Sequence, residues 1–143
     1  MFQGAGFSFP TLVHPSAVFG RAVTIGEGSI VMVGAVLETQ LTLGRHCLVN
    51  VLASVGHGGQ VGDFCNLGPG VHLAGDVQIG DRSDLGAGCV CLQRVRLGSG
   101  VVVRAGAVVK ATLFRGPGDG PPGGPGRFGQ RSRVSLGGGA PCR

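Results

Sequence analysis

Beginning at Val13, every sixth residue of the chain is apolar: Phe19, Ile25, Val31, Leu37, Leu43, Val49, Val55, Val61, Leu67, Leu73, Ile79, Leu85, Cys91, Leu97, Val103 and Val109 follow in one unbroken phase. With 43% of the chain apolar, such a run arises by chance on the order of once in a million, so this period dominates the sequence. The next residue is glycine at nine of the seventeen places: Gly20, Gly26, Gly44, Gly56, Gly62, Gly68, Gly80, Gly86 and Gly98. The residue four after the aliphatic one is small or Val almost throughout, as in Ala17, Ser29, Ala35, Cys47, Ala53, Cys65, Cys89 and Ala107. A period of six is neither helical nor the simple alternation of a strand. It predicts a short strand every six residues with a bend after each, so that three strands close a triangular coil in about eighteen residues.

Residues 13–110 then supply a little over five coils, stacked at the strand spacing of roughly 4.8 Å. The aliphatic row faces inward, and each of its members contributes roughly 1.5 to 3 kcal/mol on burial. The small residue belongs at the corner, where there is no room for bulk, and glycine relieves the adjacent backbone of side-chain crowding. The predicted fold is all-β, a left-handed parallel β-helix of hexapeptide repeats, an exception to the right-handed crossover rule. Residues 1–12 form a lead-in outside the repeat. Residues 111–143 change abruptly to Gly, Pro and Arg, with too little apolar content to pack, and are expected to be a disordered tail.

Charge follows the same division. The formal net charge is +5, of which residues 1–110 contribute seven Lys or Arg against six Asp or Glu, while residues 111–143 hold five Arg and one Asp. The basic character therefore belongs to the tail, which has one aromatic residue, Phe128, in its last 29 residues for stacking on a base. No specific nucleic-acid partner is expected. The five cysteines contain no C-x-x-C pair, which is poor spacing for zinc. The repeat instead places Cys47, Cys65 and Cys89 in the small slot and Cys91 in the aliphatic slot, as reduced core thiols; Cys142 lies outside it. No apolar run is long enough to span a membrane and no secretory signal is visible, so a cytoplasmic location is expected.

The chemistry enters with particular stretches: "FPTLVHPSAVFG", "LGRHCLVNVLASVGHGGQVGDFCNLGPGVHLAGDVQIGD" and "LGAGCVCLQRVRLGSGVVVRAGAVV". In their order, from about Gly6 to Lys110, they resemble the β-helical half of the bacterial O- and N-acetyltransferases that modify sialic acid or nucleotide-linked amino sugars. The resemblance implies an acetyl-CoA-dependent acetyltransferase acting on a sugar hydroxyl or amine, assembled as a homotrimer with its sites between neighbouring chains. It makes His57 the general base. A neutral imidazole, with an unperturbed pKa near 6.5, suits removal of a proton from the acceptor near neutral pH. It makes Asn50, seven residues earlier, a supporting residue. Asn66 stands where the family has a histidine that contacts the acetyl carbonyl, and its amide N–H is a replacement donor. Gly75, Ala87 and Ala105 match places where backbone amides bind the pantetheine arm, and Arg104 and Lys110 are candidates for the CoA phosphates.

The chain departs from the family in ways that keep a second reading open. The acid that usually follows the histidine, orienting it and raising its basicity, is here Gly58. The family's βαβ sugar-nucleotide domain has no counterpart before the repeat, so acceptor recognition is expected to be mostly missing, and the closing coil and short C-terminal segment give way to the tail. A noncatalytic trimeric β-helix scaffold, or a truncated and inactive family fragment, is the alternative. Among the other histidines, His14 is expected to pack at the start of the β-helix, and His46 and His72 to be exposed corner residues. No two histidines share a position modulo eighteen, which argues against histidine metal ligands meeting across a trimer; no metal is expected.

Overall fold

The computed structural model describes residues 6–114. Seventeen two-residue strands recur every six residues from Leu12–Val13 to Val108–Val109, and no helix interrupts them. They form three parallel sheets of six, six and five strands, in which each strand pairs with the strands three before and three after it. The first face begins with Leu12–Val13, the second with Val18–Phe19 and the third with Thr24–Ile25. Register is strictly eighteen: Leu12 opposes Ile30, Ser54 opposes His72, and Gln60 opposes Gln78. The result is a parallel β-helix of about five coils with three corners. The first corner joins faces one and two, the second joins two and three, and the third joins three and one.

From Val31 onward the inward rows are those the period predicts, whereas in the first coil Val13 and Phe19 are 43% and 38% exposed and Ile25 is half-buried, because no coil covers them from the other side. Leu37, Val49, Val55, Leu67, Ile79, Leu85, Cys91 and Leu97 are fully buried, as are Ala35, Ala53 and Cys89 of the small row. Cys47 and Cys65 are also in the core. The small row is less restricted than its composition implies. Val71, Val77, Val95 and Val101 occupy it, and Leu41 lies there 1% exposed. A coil below Leu41 the same row holds Gly59, and the missing side chain there supplies the space.

At the third corner this row carries hydrogen-bond donors. Ser29 Oγ donates to the Gly44 carbonyl (2.8 Å), Cys47 Sγ to Gly62 (3.0 Å), Cys65 Sγ to Gly80 (3.2 Å) and Ser83 Oγ to Gly98 (3.0 Å). Serine and cysteine both serve here because both are small and both donate to a corner carbonyl.

Two different constraints govern the corners. The frequent glycines after the aliphatic row face the backbone of the next coil: a Cβ on Gly26 would come 2.5 Å from the Gly44 carbonyl carbon. The left-handed backbone instead recurs two residues later, at every sixth position from Ala22 to Gly106, and eight of these residues are not glycine. From Gln40 onward they donate their N–H to the carbonyl nineteen residues back, as in Leu52 to Val33 (3.0 Å) and Phe64 to Arg45 (2.8 Å). That ladder offsets a left-handed strain of about 1 to 2 kcal/mol per residue.

The ends extend slightly beyond residues 13–110. Leu12 pairs with Ile30, and the Phe9 carbonyl accepts the Gly28 N–H (2.9 Å). At the other end Leu113 bridges to Leu97 and packs against the core. The expected disorder of the tail beyond Phe114, with Cys142, lies outside the described residues. Among the described residues no helix is long and apolar enough to cross a membrane.

Candidate functional site

His57 occupies the second corner. Val55 before it points into the core, Gly56 brings the chain against the Ala74 backbone, and Gly58 after it turns with a φ of 68°. The intervening side chain is directed outward, and 57% of it is exposed. Its backbone N–H donates to Glu38 Oε2 (2.9 Å), and the same carboxylate oxygen lies 3.5 Å from the ring Nδ1. The ring rests over Gly75: a Cβ at that position would overlap Cε1 and Nε2. An open groove of about 340 Å³ runs from His57 past Thr39 and Glu38 to Val36, Val18 and Phe19.

Glu38 is the member of this cluster that the sequence alone does not single out. It precedes His57 by nineteen residues, one coil plus one step, and that spacing is the signal that finds it once the coil length is known. Gly58 has no carboxylate of its own, and Asp76 Oδ1 from the coil below occupies the space that a Cβ on Gly58 would take. Asp76 also donates its backbone N–H to the His57 carbonyl (2.8 Å).

Of the other residues singled out by sequence, all but Gly75 and Lys110 fall on a different edge of the same chain. Asn50 lies at the first corner, half-buried, with Oδ1 accepting the Val51 N–H (2.8 Å). Ala87, Arg104 and Ala105 are exposed at that corner. Asn66 faces outward from the first face. Its Nδ2 donates to Asp84 Oδ1 (2.8 Å), and its own Oδ1 is buried without a hydrogen-bond partner. Gly75 is at the second corner beneath His57, and Lys110 is exposed at that corner two coils further along. One chain therefore brings His57, Gly75 and Glu38 together but separates them from Asn50, Asn66, Ala87 and Ala105 by the width of the second face.

The remaining histidines differ from expectation. His14 is exposed rather than packed; its Nδ1 pairs with Ser16 Oγ (2.8 Å), which in turn accepts the Gly34 N–H (3.0 Å). His46 is half-buried at the third corner, edge-on to Phe9 and stacked on Phe64, with ring centroids 5.2 and 5.1 Å away. His72 lies on a strand of the second face, not at a corner, and meets Ser54 Oγ through Nδ1 at 2.6 Å. The strand position of His72 follows from its place just before Leu73 in the six-residue phase, and the contacts of His46 with Phe64 and of His72 with Ser54 from the register of eighteen, which stacks side chains from neighbouring coils.

Comparison with known proteins agrees with this architecture. Residues 58–93 match the family described as bacterial transferase hexapeptide (six repeats). Among solved structures, the chain is similar to a mutant perosamine N-acetyltransferase from Caulobacter crescentus in complex with CoA and GDP-perosamine, at 37% identity over 78% of this chain and 53% of that one, with a TM-score of 0.76. It is similar to the acetyltransferase domain of PglB from Neisseria gonorrhoeae FA1090, at 36% identity over 79% and 55%, with a TM-score of 0.77. WeeI from Acinetobacter baumannii AYE matches at 26% identity over 78% and 55%, with a TM-score of 0.75. The chain thus spans about half the length of the structures it resembles. No curated protein matches it. By its repeat, its coil and these likenesses, the β-helical portion of the chain has the hexapeptide-repeat fold and is similar to the β-helical part of these acetyltransferases.

Proposed function

We propose that the chain is the acetyl-transferring β-helix of an acetyl-CoA-dependent sugar acetyltransferase, with His57 as general base. The observation that carries this reading is an outward imidazole at the end of a groove, with a carboxylate on its Nδ1 side. His57 takes the proton from the acceptor as the acceptor nitrogen or oxygen attacks the thioester carbonyl; the new bond to carbon forms, the C–S bond breaks, and the departing CoA thiolate receives the proton. No covalent enzyme intermediate is needed. Structures similar to this one hold CoA with GDP-perosamine, or acetyl-CoA, which favours a nucleotide-linked amino sugar and N-acetylation.

The split of candidate residues between two corners supports a homotrimer. If the second face turns toward a threefold axis, the second corner of one chain adjoins the first corner of the next. His57 and Gly75 then meet Asn50, Asn66, Ala87 and Ala105 across the interface. The second face carries exposed Val18, Val36 and Val108, apolar area that such packing covers. Arg104 and Lys110 are the cations placed for the CoA phosphates at the two corners.

The test is acetyl-CoA binding by calorimetry on protein of known oligomeric state, with thiol release measured on GDP-perosamine and a panel of amino sugars. A trimer that binds acetyl-CoA and turns over, and whose His57→Ala variant loses about 10² to 10⁴ in kcat, is the expected result. A folded trimer that binds no acetyl-CoA overturns it. That outcome would favour a noncatalytic scaffold or inactive fragment, a reading to which the Asn66 amide, donated to Asp84 and not left free for an acetyl group, lends weight.

A further inference from the structure

We propose that Glu38 is the positioning residue of His57, supplied by the preceding coil instead of by the residue after the histidine. The role rests on His57 acting as the base. Glu38 stands in the row where glycine predominates, and it fits because Gly20 and Gly56 flank it at the same place in the coils on either side. Its Oε2 is fixed by the His57 backbone N–H at 2.9 Å, so the carboxylate is tied to the main chain that carries the imidazole. From there the same oxygen is 3.5 Å from Nδ1, an ion-pair distance. Gly75 bounds the other edge of the ring. The imidazole is thereby held between a carboxylate and a bare backbone.

This arrangement has a defined chemical effect. A carboxylate beside Nδ1 favours the tautomer with its proton there, which leaves the Nε2 lone pair to accept the proton of the attacking group. When Nε2 is protonated, the positive charge on the ring faces the Glu38 carboxylate. The other charged groups at this corner are Asp76, against Gly58 from the coil below, Arg94 beneath Asp76, Arg21 two coils above, and Lys110; the neighbours Thr39 and Gln93 carry no charge. Among the described residues Glu38 is the one in ion-pair range of Nδ1.

The experiment follows the imidazole directly and turnover separately. Protein labelled with ¹⁵N-histidine is titrated by NMR, with His57→Gln assigning the His57 signals. The wild type is expected to show the Nδ1–H tautomer. Glu38→Gln keeps an oxygen for the backbone N–H but removes the charge, and it should mix the tautomers. In turnover with acetyl-CoA and GDP-perosamine, the same variant should lose about ten-fold in kcat with KM for acetyl-CoA unchanged. An Nε2–H tautomer in the wild type, or a Glu38→Gln variant that leaves tautomer and kcat unaltered, overturns the proposal. Should Glu38→Gln fail to fold, the wild-type tautomer alone decides. A wild type with the Nδ1–H tautomer and a variant with mixed tautomers but no turnover overturns the acetyltransferase reading and leaves the pairing standing.

Discussion

Gly75 shows at the scale of one residue how the site depends on an absent atom. Its backbone lacks the positive φ that would favour glycine on its own account. Its reason for being glycine is the His57 ring above it. Gly75→Ala is therefore expected to leave the melting temperature nearly unchanged while displacing the imidazole. Tenfold or greater loss of kcat with little change in acetyl-CoA affinity would follow from misplacing the base, and calorimetry beside steady-state kinetics separates the two. The sequence marked Gly75 through a family resemblance, as a backbone contact for the cofactor. Its contact with His57 was not legible there, because residues eighteen apart meet only after the coil length is set.

The coil is the element of this protein, and its glycines obey two rules that composition does not distinguish. Gly26 has no room for a Cβ against Gly44, whereas Gly88 has nothing within 4 Å but a φ of +67°. Gly26→Ala is expected to destabilise by about 3 kcal/mol through forced separation of coils. Gly88→Ala should lose about 1 kcal/mol through left-handed strain alone. Urea unfolding of the two variants measures the difference; equal losses would show that one constraint governs both. The crowded row was legible in the sequence because it is rich in glycine. The left-handed row was not, since Gln40, Leu52, Phe64, Asp76 and Arg82 occupy it. Their backbone bond to the previous coil compensates a conformation that local propensity disfavours.

For the whole molecule, the continuous core determines how the thiols behave. Cys47, Cys65, Cys89 and Cys91 are free and buried. Burial pushes Cys89 up to about 11 and Cys91 to about 12. Cys65 is raised chiefly through its hydrogen bond with Cys47, which holds Cys47 down in turn, yet Cys47 is only 2% exposed. All four are expected to resist a thiol reagent at pH 8 until denaturant opens the coil, then to react together, because access requires unfolding for every one of them and the raised Cys65, Cys89 and Cys91 are also kept as thiols. Mass spectrometry of labelled peptides reads this directly. Labelling of Cys47 or Cys65 in the folded protein would mean that the third corner opens locally.

The unbroken apolar phase from Val13 to Val109 by itself determined the coil, its length and, past the first coil, the inward rows, because an eighteen-residue repeat leaves one way to bury every sixth side chain. It also placed His57 outside the core, two positions beyond Val55. Only the tertiary structure decided what meets His57: Glu38 beside Nδ1, Gly75 beneath the ring, and Asp76 where an acid after the histidine would have stood. It likewise decided that Leu41 fits its corner, over Gly59, and that Asn66 spends its amide on Asp84. Burial follows from periodicity along one chain, whereas contacts between coils depend on which side chains the register of eighteen superposes and on the directions their rotamers take.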